Sequence, residues 1–315
     1  MTMYLSPLVD VNEIDLTTTI PAVATSIGVL VIRNSWKGPE AKVQLINDID
    51  ELTEVFGVPM DDSYEDIMAG AGFLQYGNNL YCTRVLAPSA TFAGAYGTVV
   101  SGGTFTPYVS GNAYQLSDLD SQDPDEFGNE ETTFDVGRPE NGSEMAFIAQ
   151  SRGEWGDYVQ IAIIGRDTYN GIRQGTLAAT LGISASLYDD VDQAVDTAFS
   201  DNKQFLIVVK AAKQQNITKN PIPYEVVEAH LVSSDPTAVN DTGANIFVEN
   251  WINDNSRYIR VATTAAFKNK SYKNKYQTTY TNLGGGVRNQ GDSIADGDII
   301  AAYELYADPE FIRVL

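Results

Sequence analysis

Residues 27–32 read Ile-Gly-Val-Leu-Val-Ile, and this continuous apolar run predicts a buried strand in a sheet that is covered on both faces. A short strand is predicted at 42–46 and another at 80–85, where the sequence reads Leu-Tyr-Cys-Thr-Arg-Val. These three runs, with the helical patterns between them, indicate an α/β unit that spans residues 22–87.

Two helices are predicted between those strands. Asp48 can cap the first helix, and Gly57 is expected to end it as a left-handed cap, with Pro59 beyond it. The second helix is expected over 62–76, because its apolar residues recur at helical spacing and so define one core-facing side. Those residues are Tyr64, Ile67, Met68, Ala71 and Leu74.

The composition changes after residue 87. Residues 88–150 are rich in Gly, Ser, Thr and Asp and contain short predicted strands at 104–106 and 133–136, which indicates a small β-rich insertion or exposed loops. The later predicted elements are strands at 158–164, 205–209, 225–232 and 258–261, a short helix at 245–252, a helix that Asp296 or Asp298 can cap, and a final strand at 311–315. Because the sequence ends on an apolar strand, we expect it to be a portion of a larger protein.

The first residues do not have the pattern of a domain. Residues 9–12 read Val-Asp-Val-Asn, an alternation that predicts an extended strand, and Pro7 blocks a helix nearby. Three threonines follow at 17–19 instead of a hairpin partner, so this strand must pair far away in its own chain or with another chain. The apolar residues assigned to this inter-subunit arm are Tyr4, Leu5, Val9, Val11, Ile14 and Leu16.

The charge balance narrows the expected partners. The 315 residues include 42 acidic and 20 basic side chains, giving a formal net charge of -22, and 43% of the residues are hydrophobic. Such a folded chain repels nucleic acid and anionic membranes, so neither is expected as a partner. The apolar runs are too short to span a membrane, no signal peptide is recognised, and the single cysteine permits no internal disulfide. Synthesis in a cytoplasm is expected.

No catalytic residue, cofactor or metal ligand is assigned from the sequence. His230 is expected to be a solvated strand residue on the same face as Glu228, and Cys82 an inert buried thiol, which leaves no nucleophile and base pair. The acidic run 118–126 lacks the glycine and the glutamate of a calcium loop. The run 284–289, Gly-Gly-Gly-Val-Arg-Asn, lacks the lysine of a phosphate loop and is expected to be a flexible turn.

Residues 267–276 interleave basic and aromatic side chains, a pattern that could on its own bind single-stranded nucleic acid. In a chain of net charge -22 a protein contact is favoured instead. We hypothesise that this basic segment meets an acidic surface of a neighbouring subunit, with the loop 118–131 as one candidate. The residues of this inter-subunit patch are Lys268, Lys270, Lys273 and Lys275.

Several segments resemble phage tail sheath proteins. The most specific is 73–85, Phe-Leu-Gln-Tyr-Gly-Asn-Asn-Leu-Tyr-Cys-Thr-Arg-Val, and the opening 6–15, Ser-Pro-Leu-Val-Asp-Val-Asn-Glu-Ile-Asp, is also similar. The further similar segments are Thr-Ser-Ile-Gly at 25–28, Trp-Lys-Gly-Pro at 36–39, the Gly-x-Trp-Gly turn within 152–157, and Leu-Gly-Gly-Gly at 283–286. Leu8 stands where the family commonly has glycine, so a different local turn is expected in the arm.

The resemblance implies a mixed α/β and β, multidomain fold. Its expected parts are an extended N-terminal arm at 1–21, a discontinuous α/β core formed by 22–87 and about 285–315, and a β-rich outer insertion at 88–284 with short helices. The insertion can divide into two subdomains near residue 150. The family's C-terminal domain, which grips the tail tube, is not represented here, so no tube-contacting residues are assigned.

The resemblance also implies a structural function without enzyme activity. The expected role is a contractile sheath subunit in the virion tail, assembled in the host cytoplasm, that forms stacked rings around an inner tube and contracts to drive the tube through the host envelope. Its implied partners are copies of itself, the tail tube protein, and baseplate and tail terminator proteins. Two alternatives remain open: the sheath of a tail-like injection particle or secretion system, and a carbohydrate-binding or carbohydrate-hydrolysing virion surface protein.

Overall fold

The structure is a computed structural model that describes residues 27–119, 140–174, 182–193 and 199–307. The expected arm at 1–21 and the expected strands at 133–136 and 311–315 lie outside the described residues. The strands are β1 (Ile27–Arg33), β2 (Gln44–Ile46), β3 (Asn79–Val85), β4 (Gly94–Gly97), β5 (Thr106–Pro107), β6 (Met145–Ala149), β7 (Val159–Gly165), β8 (Gln204–Ala212), β9 (Tyr224–Ser233), β10 (Ile259–Thr263) and β11 (Thr281–Asn282). The helices are α1 (Ile49–Phe56), α2 (Tyr64–Leu74), α3 (Arg166–Arg173), α4 (Ala185–Gln193), α5 (Val248–Asn255) and α6 (Asp296–Glu304).

The first unit is a three-stranded mixed sheet in the order β1-β3-β2, with β1 parallel and β2 antiparallel to β3. Helices α1 and α2 cover one face of it, which confirms the predicted α/β pattern. Asp48 caps α1 as expected, since its side chain accepts a hydrogen bond from the Glu51 N–H at 2.7 Å. The buried residues between these helices and the sheet are Ile32, Ile46, Leu52, Phe56, Ile67, Leu80 and Cys82.

Three local predictions for this unit are wrong. The strand β1 is not buried throughout, because the side chains of Ile27 and Val29 are exposed. The core-facing side of α2 carries Ile67 and Gly70, while Tyr64 and Met68, predicted to face the core, are exposed. The close approach of Gly70 to β1 decides which side of α2 faces the sheet, since a Cβ at this position would lie 2.9 Å from Leu30 Cδ2.

The third error concerns the end of α1. Gly57 has a positive φ of 88°, as expected, but its ψ of 171° places it outside the left-handed helical region. Its N–H still donates to the Thr53 carbonyl at 3.0 Å, so the helix ends at the predicted residue with a different cap.

The second face of the mixed sheet is covered by α6. Val31 and Val85 of the sheet pack against Ala302, and Tyr306 donates a hydrogen bond from Oη to the Leu30 carbonyl at 2.8 Å. The helix begins where the sequence predicted, but Ala295 is the N-cap, and Asp298 accepts from the Ala295 N–H at 3.2 Å. The chain therefore returns to its first unit after more than two hundred intervening residues.

Those intervening residues build two antiparallel sheets that pack face to face. One has the order β10-β6-β4-β5 and the other the order β11-β7-β8-β9. Inward side chains alternate along each strand, as expected for a two-sheet core. Those contributed by the central strands are Ala95, Met145, Phe147, Ala149, Ile161, Ile163, Phe205, Ile207 and Val209.

The outer faces of this β-sandwich are also covered. Helices α3 and α4 pack on the β7–β8 face through Tyr169, Ile172, Leu187 and Val191, and an aromatic cluster that includes Tyr108 and Tyr114 covers the β6 face. Neither helix was predicted, and neither were β4 and β6. Each residue of β6 is buried, so part of 88–150 is central to the sandwich instead of an exposed loop.

The chain leaves the sandwich through Leu283 and the three following glycines. The backbones of Gly284 and Gly94 exchange hydrogen bonds at 2.9 and 2.8 Å, and Gly286 donates to Asp157 Oδ1 at 2.9 Å. This segment was predicted to be a flexible turn, and the structure shows instead a close-packed crossing. A few residues later the Gln290 N–H donates to Ser89 Oγ at 2.8 Å, so the sandwich begins and ends at neighbouring points.

We predict that Gly286→Ala destabilises the protein by about 1–3 kcal/mol, because overpacking a well-filled interior has this cost. A Cβ at Gly286 would lie 2.3 Å from the Gly153 carbonyl oxygen, which belongs to the backbone and cannot rotate away. The control is Gly297→Ala in α6, where a Cβ would meet no atom within 4 Å. Urea unfolding should show a loss for the first variant and none for the second, and equal stabilities would contradict the close packing.

Candidate assembly surfaces and the buried junction

The outer edge of β1 is open in the described part of the chain. The Arg33 N–H points away from β3 and donates to Asp66 Oδ2 at 2.9 Å instead of to a neighbouring strand. Because backbone direction alternates along a strand, the N–H and C=O groups of Ile27, Val29 and Val31 point the same way. Among the described residues, β1 is an edge strand whose one strand neighbour is β3. With Ile27 44% and Val29 46% exposed, this edge is a template for an added strand.

By contrast, the outer edge of β10 is closed by side chains of α5. The Asn253 amide mimics a neighbouring strand, because its Oδ1 accepts from the Val261 N–H at 2.8 Å and its Nδ2 donates to the Val261 carbonyl at 3.0 Å. Glu249 accepts a hydrogen bond from the Thr263 N–H. An edge satisfied in this way is protected from pairing with another chain.

The basic segment lies at the end of the sandwich that is remote from the mixed sheet. The carbonyl oxygens of Lys273 and Lys275 accept hydrogen bonds from the Asp167 N–H at 2.8 Å and the Gly165 N–H at 2.7 Å, where β7 ends. At the opposite end of the same sheet, Gln214 accepts from the Val58 N–H of the α1–α2 loop at 2.8 Å. The two ends of β7 are about 20 Å apart at the usual rise per residue.

Not every lysine of the predicted patch is available to a partner. Lys270 forms an ion pair with the buried Glu144 of its own chain, and Tyr272 between the lysines is buried and donates to Glu144 Oε2 at 2.8 Å. Lys273 and Lys275 are half-buried, and no ion pair to a described carboxylate is formed by either. The acidic loop proposed as their target lies mostly in 120–139, outside the described residues.

The structure places the candidate reactive residues in structural roles. Cys82 is fully buried in the core of the mixed sheet, and burial raises the pKa of its thiol to about 12. His230 lies in β9 as predicted, but its side chain is 13% exposed and bonds to Glu228 at 3.1 Å, so the expectation of a solvated histidine is wrong.

Glu228 stands between His230 and Ser256. Its Oε2 accepts from Ser256 Oγ at 2.6 Å, and its Oε1 accepts from the Arg257 N–H at 2.8 Å. Burial raises the pKa of Glu228, but the hydrogen bonds with His230, Ser256 and Arg257 outweigh this effect and hold it below its usual value. Since the carboxylate separates the imidazole from the hydroxyl, this set ties β9 to the α5–β10 turn and does not form a nucleophile with an adjacent base.

No group of three or more His, Cys, Asp or Glu side chains in the described part of the chain is arranged to hold a metal ion. No described helix is long and apolar enough to cross a membrane.

The mixed sheet and the sandwich are joined by a buried ionic network that the sequence analysis missed. Arg84, in β3, is fully buried and donates to the Ser35 carbonyl at 2.7 Å and to the Arg152 carbonyl at 2.8 Å. Glu40 pairs with both arginines, at 3.5 Å from Arg84 Nη1 and 2.8 Å from Arg152 Nε. A visible signal was present, since an arginine stands in an otherwise apolar strand, but its partners could not be read from sequence spacing.

The network extends to the crossing segment. Arg288 donates to the Asn34 carbonyl at 2.9 Å and lies 3.3 Å from Glu154 Oε2, so it links the end of β1 to the turn before β7. Burial lowers the pKa of Arg84 to about 10, opposed by Glu40, and the guanidinium stays charged at neutral pH. Burial also raises the pKa of Asp157 to about 6, opposed by the Gly286 N–H and reinforced by Glu154.

The chain is similar to phage tail sheath proteins. One relative is the tail sheath protein of Vibrio phage KVP40 (isolate Vibrio parahaemolyticus/Japan/Matsuzaki/1991), which is 32% identical over 81 residues. That match covers 26% of this chain and 12% of the phage protein, so the chain spans a small part of its relative's length. No protein-family model matches the chain.

Two crystal structures of sheath tail proteins also align with the chain. The protein from Desulfitobacterium hafniense is 10% identical, with a TM-score of 0.39, over 98% of this chain and 44% of the other. The protein from Listeria innocua is 10% identical, with a TM-score of 0.41, over 89% of this chain and 38% of the other. These scores are below the level at which two chains share an overall fold.

We predict that Arg84→Met lowers the free energy of unfolding by about 3–5 kcal/mol, because it breaks a buried pair and leaves its partners unsatisfied. The control is Lys213→Met, which removes an exposed partner of Glu225 at 3.0 Å and should cost at most about 1 kcal/mol. Urea unfolding followed by tryptophan fluorescence measures both, since Trp36 and Trp155 lie in the sandwich core next to the junction. Similar losses for the two variants would contradict a stabilising junction.

Asp157→Asn tests the raised pKa of Asp157. A carboxyl group whose folded pKa is raised to about 6 contributes stability that is complete below its ordinary pKa, near 4, and is lost as pH rises through about 6. The wild-type protein should therefore lose stability relative to the variant between about pH 4.5 and 7.5. Thermal melts across this range measure the difference.

Asp235→Asn is the matched control for that experiment. Hydrogen bonds from Lys203 and Thr237 lower the pKa of Asp235 to about 2. The folded and ordinary pKa values of Asp235 both lie below the tested range. The difference in stability between Asp235→Asn and the wild-type protein should therefore stay constant across that range. A constant difference for Asp157→Asn as well would show that the junction does not perturb that carboxyl group.

Proposed function

We propose that this chain is a structural subunit of a contractile tail sheath, which polymerises as stacked rings around an inner tube. The similarity to the Vibrio phage tail sheath protein supports this role, and the open edge of β1 is the structural observation that carries the mechanism. Contraction, in this proposal, drives the tube through the host envelope. The energy comes from new contacts between subunits, so no nucleotide or cofactor is needed.

The proposed assembly contact is strand addition. The arm residues 1–21 of one copy supply an extended segment, and the edge of β1 in a neighbouring copy supplies unpaired backbone groups. Backbone hydrogen bonds give affinity in such contacts, and alternate side chains fix the register. The apolar side of the arm, which carries Val9 and Val11, would then cover Ile27 and Val29, which are exposed in the described part of the chain.

The basic segment is proposed as a second inter-subunit contact. Lys273 and Lys275 are the members that carry it, because Lys270 is paired within its own chain. On the strength of the resemblance, the proposed partners are the tail tube, baseplate and tail terminator proteins. The proposed location is the virion tail. The domain division, with the mixed sheet and α6 as core and the sandwich as outer insertion, is likewise a proposal.

Electron microscopy of the purified chain tests the function directly. Long hollow polymers support the sheath proposal and also fit a tail-like injection particle or secretion system. Monodisperse particles that bind glycans would instead support a carbohydrate-binding surface protein and would overturn the proposal.

Deletion of residues 1–16 should abolish polymers while leaving a folded monomer, since the open edge would lose its partner. Sedimentation velocity measures the polymer, and circular dichroism checks the fold. A finer variant replaces Val9 and Val11 by Asp and should have the same effect, whereas its control, Asp10→Ser with Asn12→Ser on the opposite side of the strand, should assemble. Normal polymers from the deletion variant would exclude the arm as the assembly element.

The receiving edge can be tested separately with Val29→Pro. This change removes an N–H that points away from β3, so it should leave the mixed sheet intact and block an added strand. The variant should fold, and its assembly should fall as far as in the deletion. If it polymerises normally, the arm does not pair with β1.

A further inference from the structure

Helix α2 presents a second apolar stripe that the described residues leave exposed. Tyr64, Met68, Gly72 and Tyr76 follow at intervals of four residues and so lie along one side of the helix and its C-terminal turn. Tyr64 is 55%, Met68 46% and Tyr76 93% exposed. Large apolar residues that cluster on a surface in this way mark interaction sites.

Gly72 makes this stripe suited to close approach. A Cβ built on it would meet no atom within 4 Å, so nothing in the described subunit requires a glycine there. Glycine weakens a helix relative to alanine. Between two exposed tyrosines it leaves a shallow notch that the backbone of another molecule can enter.

The charge around the stripe is negative. Asp61, Asp62 and Glu65 are exposed beside it. Arg33 lies 3.7 Å from Glu65 and Arg288 lies 3.7 Å from Asp62, while no described cation reaches Asp61 within ion-pair distance. The surface therefore has an apolar centre and an acidic rim, an arrangement that suits a partner with unpaired lysines beside aromatic rings.

A second copy of this chain carries such a surface. Lys273 and Lys275 lie within the basic segment, next to Tyr276. This part of the segment is at the end of β7 that is remote from the α1–α2 loop. Because the strand separates these two surfaces by about 20 Å, they cannot meet within one subunit. They can meet between copies. A contact between two different surfaces joins copies head to tail, and such contacts can repeat into an open polymer without forming a closed ring.

We propose that the α2 stripe of one copy binds the basic segment around Lys273 and Lys275 of the next copy. This inference rests on the proposed self-assembly and names the acidic surface that the basic segment meets. It assigns that surface to the α1–α2 region in place of the loop 118–131. Strand addition at β1 and this contact use different parts of the subunit, so one can fail without the other.

Crosslinking between two pools of the full chain tests the contact. One pool carries Met68→Cys and the other Lys273→Cys, and the native Cys82 is fully buried and does not compete. A short bis-maleimide should give covalent dimers from the mixed pools and few from either pool alone. Dimers from the Met68→Cys pool alone would show that the stripe pairs with itself, and would overturn the proposal.

A charge exchange provides the energetic test. Asp61→Lys with Glu65→Lys should shorten polymers in sedimentation velocity, as should Lys273→Glu with Lys275→Glu, and a chain carrying all four changes should recover. Asp241→Lys with Glu304→Lys, two exposed acidic residues elsewhere, is the matched control and should assemble normally. A further variant combines Lys273→Glu and Lys275→Glu with Asp123→Lys and Asp125→Lys. If this variant recovers polymer length instead, the contact belongs to the loop 118–131 and the proposal is overturned.

Gly72→Ala separates an interface role from a structural one. Alanine should raise the melting temperature of the subunit, because it favours the helix, while weakening polymers by filling the notch. Normal polymers from this variant and from the charge reversals would overturn the inference and leave the sheath proposal intact. A wild-type chain that stays monomeric would overturn both.

Discussion

The placement of the mixed sheet against the sandwich depends on the burial of Arg84 between them. Its guanidinium satisfies carbonyl groups from both sides of the junction, at Ser35 and Arg152, while Glu40 balances the charge of the two arginines. Desolvating so much charge is costly, and the cost is offset only when the groups keep their mutual geometry. The junction therefore fixes the position of the mixed sheet relative to the sandwich, and with it the direction in which the edge of β1, open among the described residues, faces.

Local patterns in the sequence predicted the parts of the fold that depend on neighbours in the chain. The strands at 27–32, 80–85 and 205–209 and the Asp48 cap are confirmed, because a continuous apolar run or a capping side chain acts within a few residues. Side-chain orientation was harder to predict. The α2 residues Tyr64 and Met68 fit the helical period as well as Ile67 does, and only the contact of Gly70 with Leu30 excludes them from the core.

Contacts between distant residues could not be predicted from one sequence. Arg84 and Arg152 are 68 positions apart, and nothing in either local sequence names the other. The run 284–286 was taken for a flexible turn because glycine permits flexibility, whereas here it permits close packing against Gly94 and Gly153. Of the proposed assembly residues, those of the arm lie outside the described structure. Among the lysines of the basic segment, Lys270 forms an ion pair with Glu144 of its own chain.

The sandwich begins near Ser89 and ends near Gln290, and a hydrogen bond of 2.8 Å joins these two points. The two covalent connections of the intervening segment thus lie side by side, and the buried junction of Arg84, Glu40 and Arg152 provides the rest of its attachment. Insertions tolerate changes of size and sequence when their two ends lie close together, because the host unit is not stretched. A foreign domain with adjacent termini could accordingly replace the sandwich only if it also supplied the partners that Arg152 now provides to Arg84 and Glu40.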